Sequence, residues 1–204
     1  MPQADFEGAK QYAIQRLERE LSPALVYHSL VHTRDEVVPA VERLATMEAV
    51  KGEDYLLLVT AAYYHDIGFV RQREDHELVS VQVADEVLPQ FDYVDEQIHI
   101  IAGIIIATRV PQRPLTLLEE IMADADLDSL GRKDFWTRSL DLRAEYASFG
   151  THYTDEEWCR IQREFMQAHH YFTASARKLH DKQKKKNVEE MLRRCQKYCI
   201  TRLG

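Results

Sequence analysis

The stretch Tyr55–Gly68, YLLLVTAAYYHDIG, decides the fold. Gly52-Glu53-Asp54 opens a helix, and Leu56-Leu57-Leu58-Val59 is apolar nearly all the way round it. A helix without a polar face has to be surrounded by other elements, so this one is expected at the centre of the molecule. The same helix ends on His65-Asp66, with Gly68 as its stop. An ionised carboxylate at the end of a buried helix is costly unless it is paired, hydrogen-bonded or bound to a cation. A structural helix and a reactive helix end are thus written into one segment.

Working outward, helical spacing recurs on both sides. Phe6, Ala9, Ala13, Leu17 and Leu21 form a first helix that Ser22-Pro23 stops. A second is expected from near Tyr27 to about Met47, with Pro39 inside it removing a backbone bond or kinking it. Phe69–Asp75 reads as a loop, and His76–Leu88 as a helix ended by Pro89. Asp95–Thr108 is a strongly apolar helix, Pro111 and Pro114 enforce a turn, and Leu117–Met122 leads a sixth helix to Asp124-Ala125-Asp126. Beyond it, Phe135–Tyr146 is amphipathic, Thr154 with Glu157 is a capping-box signature, and a last helix carrying Lys182–Lys186 reaches about Tyr198. The expected fold is an all-α, single-domain helical bundle over residues 1–204. Its motif-bearing core covers about 27–131, with a helical extension over about 132–204.

Composition narrows the function. The formal net charge of -8 argues against a nucleic-acid polymer or a membrane surface as partner, because both call for a basic field. It leaves room for a small anionic substrate, since a bound metal supplies positive charge locally. Tyr55–Tyr64 and Ile98–Ala107 are too short to span a bilayer. Met1–Lys10 lacks the apolar run of a signal peptide. Cys159, Cys195 and Cys199 are too few for a disulfide framework and read as reduced thiols in a cytoplasmic protein. Oligomeric state is left open.

Three apolar elements each carry His or Asp at a polar end: His28 and His32 one turn apart, the His65-Asp66 pair, and Asp124 with Asp126. Mixed imidazole and carboxylate ligands suit Mn, Fe, Co, Ni or Zn, and Mg where carboxylates and waters dominate. The order His32, His65-Asp66, Asp126 resembles the H…HD…D signature of the HD superfamily of metal-dependent phosphohydrolases. Tyr27–His32 is similar to the YH-N-x-x-H opening of one subgroup. Ala62–Gly68 resembles the family's apolar run into HD, His76-Glu77 with Ser80 its N/H-E-x-x-S segment, and Asp124–Leu127 with Leu130-Gly131 its closing D-A-D-L segment.

The resemblance implies one divalent metal held by His32, His65, Asp66 and Asp126, with Asp124 as a support to a ligand or water. It also implies hydrolysis of a phosphate ester by a metal-activated water. Asp66, Glu77 and His76 are the candidate catalytic residues; His28, Arg109, Arg71 and Arg73 are candidates for holding substrate. Thr108 and Arg109 stand where a two-metal enzyme would carry a further histidine, which favours a single ion. Each residue also has a structural reading. Glu77 suits a helix start, Asp124 can bond local backbone, and His152, His169, His170 and His180 read as surface or packing residues. Lys182–Lys186 reads as a solvated face. Two other functions fit the ligand set: a metal-retaining regulatory domain that binds nucleotide without turnover, and a different metal chemistry such as oxidation at iron.

Overall fold

The computed structural model describes residues 4–200, with side chains described through Cys195. The side chain of Cys199 and the first three residues of the Met1–Lys10 stretch lie outside the described residues. Nine α-helices and four short π or 3-10 turns make up the described chain, which contains no strand. The molecule is all-α, as its periodicity requires. The chain divides into two compact units, one formed by Met1–Ser22 with His28–Asp126, the other by Pro23–Tyr27 with Leu127–Gly204.

In the first unit the helices are α1 (Phe6–Glu20), α2 (Val38–Met47), α3 (Gly52–Tyr64), α4 (His76–Val87), α5 (Asp95–Ile106) and α6 (Leu117–Asp126). The apolar run of α3 behaves as expected: it packs against α1, α2, α4, α5 and α6, and every residue from Leu57 to Tyr64 is buried. Each fully buried leucine here contributes about 1.5–3 kcal/mol over an exposed one. Tyr63 and Tyr64 are core residues, and the Tyr64 hydroxyl donates to the carbonyl of Ala9 at 3.0 Å. The Thr60 and Tyr93 hydroxyls meet at 2.7 Å, so the polar atoms of the central helix find partners.

Pro39 lies inside the helical run, as expected, and the turn before it is widened. Residues His32–Val37 wind as a π-helix, and the Val38 amide reaches back five residues to the carbonyl of Thr33. Pro39 falls at the first turn of α2, where its missing N–H costs little. A widened turn thus stands directly ahead of the ring. Tyr27–Ser29 lie outside any helix, which corrects the early start expected for this element.

The second unit holds α7 (Phe135–Ser148), α8 (Asp155–Ala168) and α9 (Ala174–Ile200). Leu130, Phe135, Met166 and Met191 form its buried apolar cluster, with Trp136, Val188 and Cys195 packed on it. The capping box is formed: the Glu157 amide donates to Thr154 Oγ1 at 3.2 Å and the Thr154 amide to Glu157 Oε2 at 2.8 Å. His180, buried, pairs with Asp128 at 2.8 Å, which gives this histidine a structural role. Cys159 and Cys195 are joined by a disulfide, their Cα atoms 5.6 Å apart. That corrects the reading of both as free thiols. Helices α8 and α9 run against each other, and only their packing reveals that residues 36 positions apart are opposite one another.

Candidate metal centre

His65 is the residue that caps α3, and its orientation is set by backbone. Its Nδ1 lies 2.8 Å from the carbonyl oxygen of Ala62. A carbonyl only accepts, so Nδ1 carries the proton and Nε2 of the neutral ring is left with its lone pair. Asp66 follows with φ -103° and ψ 3°, a turn conformation that brings its carboxylate back beside the His65 ring. Ser80 of α4 holds this turn: its Oγ donates to the His65 carbonyl at 2.6 Å and accepts the Gly68 amide at 2.8 Å. Gly68 is required by close approach, since a Cβ there would overlap the His76 carbonyl oxygen.

His32 and Asp126 complete the cluster from the π-turn and the end of α6. His32 Nε2 stands 3.3 Å from Asp126 Oδ1 and 3.9 Å from Asp66 Oδ2. His65 Nε2 stands 3.3 Å from Asp66 Oδ2 and 3.5 Å from Asp126 Oδ1. The ligand atoms of His32, His65 and Asp66 all lie within 4.8 Å of one another. Donors about 2.1 Å from one cation sit roughly 3.0–3.5 Å apart, so this spacing is close to a ligand shell.

Two atoms test whether a cation fits. His65 Nε2 and Asp66 Oδ2 are buried and have no hydrogen-bond partner among the described residues, although 3.3 Å separates them. Orphaned buried polar atoms are expensive, and two that face each other across a ligand-sized gap are satisfied together by one metal. Imidazole nitrogen with carboxylate oxygen is a donor set for a first-row transition metal. The residues present fit the group.

The electrostatics agree. Burial disfavours the charged form of His32, but Asp126 and Glu36 outweigh it and raise its pKa; burial is likewise overcome at His65, which Asp66 and Asp126 push well up. Burial would raise Asp66, yet His65 and His76 hold it well below the usual carboxylate range. Asp126, also opposed by burial, is lowered by His32 and His65. The carboxylates are therefore ionised, and a cation would replace protons on the two imidazoles.

Around this cluster, His76 Nε2 lies 3.3 Å from Asp66 Oδ1, and its Nδ1 lies 3.6 Å from Glu77 Oε2. Glu77 is buried at the first turn of α4. The His76 pKa is raised, because Asp66 overcomes the effect of burial. Phe69 stacks on His76 at 4.0 Å and on His28 at 4.5 Å between ring centroids. His28 is edge-on to His32 at 6.0 Å. Asp124 is fully buried on α6. Arg109 pairs with Asp75, next to His76, whereas Arg71 pairs with Glu86 at 2.6 Å on the exposed side of α4. The sequence reading passed over Glu36, Phe69 and the Ala62 carbonyl; the i, i+4 spacing of His32 and Glu36 was the signal available for the first.

Residues 36–129 match the family model of the HD domain, a span that includes His65, Asp66 and Asp126 and begins just after His32. No curated protein and no solved structure matches the chain. His32, His65 and Asp66, which could together hold a metal ion, accompany that match, with Asp126 3.3 Å from His32 and 3.5 Å from His65. Residues 36–129 are therefore similar to the HD domain, a family made up mostly of metal-dependent hydrolases.

Proposed function

We propose that the protein is a hydrolase of phosphate esters, acting on a nucleotide or a small phosphorylated metabolite with one divalent cation bound by His32, His65, Asp66 and Asp126. The observation that carries this reading is the orphaned pair His65 Nε2 and Asp66 Oδ2, facing each other in a four-residue ligand cluster. When bound, the cation lowers the pKa of water and polarises a phosphoryl oxygen.

The chain's own residues do the rest. His76, whose ring nitrogens lie near Asp66 and Glu77, would take the proton from the attacking water and return it to the leaving group. Its pKa, raised by Asp66, suits it to hold that proton until the leaving group needs it. His28 borders the cluster through its stacking on Phe69, and Arg109 stands one residue from His76 through Asp75. Both are candidates for holding phosphate, Arg109 through its planar fork. The buried Asp124 is the candidate support behind Asp126. No helix among the described residues is long and apolar enough to cross a membrane. A cytoplasmic location belongs to this reading on composition; the Cys159–Cys195 bond, which a reducing compartment opposes, is the observation against it.

The test is elemental analysis of the purified protein with phosphate release across a nucleotide panel, beside a variant carrying His65→Ala and Asp66→Ala. Near-stoichiometric metal and activity lost in the variant are expected. Metal bound with no release from any substrate would turn the reading to a regulatory domain. Failure to bind metal even after reconstitution would refute the ligand set.

A further inference from the structure

An imidazole can present either ring nitrogen to a cation, and the partner of the other nitrogen decides which. At His65 the Ala62 carbonyl makes that decision. At His32 the atom facing Nδ1 is Glu36 Oε2, 3.2 Å away, while Nε2 faces Asp126 and Asp66. Both residues lie on the π-turn His32–Val37, four positions apart and on one side of it. The His32 side chain is 3 % exposed and that of Glu36 16 %, so the carboxylate holds the ring from the solvent edge of the cluster. A carboxylate on the far nitrogen does more than a carbonyl, because its charge also increases the basicity of the ligand nitrogen.

We propose that Glu36 is a positioning residue for the metal centre: its carboxylate accepts the Nδ1–H of His32 and so fixes Nε2 as the atom offered to a divalent cation beside His65, Asp66 and Asp126. The assignment rests on the metal-centre reading above and adds to it a residue outside the ligand set. Glu36 acts through His32.

The test uses full-length, metal-free protein titrated with Co(II) and followed by its d–d absorption, in wild type, Glu36→Gln and Glu36→Met. Methionine keeps the length of the side chain and removes the acceptor, whereas glutamine keeps an acceptor. The methionine variant is expected to bind Co(II) about 10–100-fold more weakly, with the glutamine variant nearer to wild type. A methionine variant within about threefold of wild type would overturn the assignment, and so would a glutamine variant as weak as methionine. A second readout needs no metal. Long-range 1H–15N spectra of the metal-free protein should show a proton on His32 Nδ1 in wild type and Glu36→Gln, and its loss or transfer to Nε2 in Glu36→Met. A wild-type His32 with its proton on Nε2 alone would overturn the proposal whatever the metal does. Wild-type protein that shows the Nδ1 proton but binds no Co(II) would instead sink the metal-centre reading and leave the orientation of His32 by Glu36 standing.

Discussion

His32 Nε2 and Asp126 Oδ1 stand 3.3 Å apart although 94 residues separate them in the chain. A proton bridging this pair and a cation would compete for the same two atoms. Asp126→Ala should therefore weaken metal binding by more than the roughly 10–100-fold that loss of an outer-shell partner costs. Because ligands of the native state stabilise it, metal at 100 times its Kd should add about 2.7 kcal/mol to wild-type stability. Thermal unfolding with and without metal measures this shift. An Asp126→Ala variant showing the full wild-type shift would remove Asp126 from the ligand set.

Ser80 and Gly68 support the His65-Asp66 turn without entering the ligand set. Ser80→Ala leaves the Gly68 amide without its buried acceptor and is expected to cost about 1–3 kcal/mol. Gly68→Ala forces α4 away from the turn and is expected to cost a similar amount, about 1–3 kcal/mol, through overpacking. Urea unfolding reads both losses. Metal affinity should fall with them, because the His65 carbonyl and the start of α4 are held by the same hydroxyl. Unchanged affinity in a folded Gly68→Ala protein would mean the turn tolerates displacement.

In the second unit, burial lowers the His169 pKa to about 3, with help from the charge of Lys184 and then of His170. Neither of its ring nitrogens has a hydrogen-bond partner among the described residues. Its ordinary pKa is near 6.5, so between about pH 3 and 6.5 the unfolded chain binds a proton that the folded chain does not. Stability is penalised progressively as pH falls through that window, by at most about 1.4 kcal/mol per pH unit from this group. His169→Phe should flatten that part of the profile in denaturant unfolding across pH 4–7 (about the range in which the effect develops). An identical slope in the variant would locate the effect elsewhere.

The Cys159–Cys195 bond closes a loop of 36 residues and is expected to stabilise the C-terminal unit by about 3–4 kcal/mol. Cys159 and Cys195 are bonded, so thiol titration of denatured, unreduced protein should find two fewer reactive thiols per chain than the same protein after reduction. Cys195→Ser should lower the unfolding midpoint as much as reductant does. Three reactive thiols without reductant would contradict the pairing.

Much of the architecture was legible before any coordinates. The unbroken apolar face of Leu56–Val59 required a surrounded helix, and α3 is surrounded. Thr154 and Glu157 signalled a helix start that forms as a capping box, because both partners lie within one turn. Pro39 was recognised as incompatible with regular α-helical bonding; the π-turn that stands directly ahead of it was not foreseen. The pairing of Cys159 with Cys195 was invisible, since the 5.6 Å between their Cα atoms is a property of how α8 and α9 pack.

The same division holds at the metal centre. The sequence by itself determined where imidazole and carboxylate groups meet apolar helices, with His32 near the start of one and His65-Asp66 and Asp126 at the ends of two others, a setting where a bare charge is unfavourable. It also determined the all-α class, through periodicity that only local backbone geometry has to obey. Tertiary structure alone decided which atoms of those residues meet. The 3.3–3.9 Å spacing of the ring nitrogens of His32 and His65 from the carboxylate oxygens of Asp66 and Asp126 depends on side-chain directions and distances between helices. Such distances are set by close packing across the whole core, to tenths of an ångström, and no local pattern in the chain encodes them.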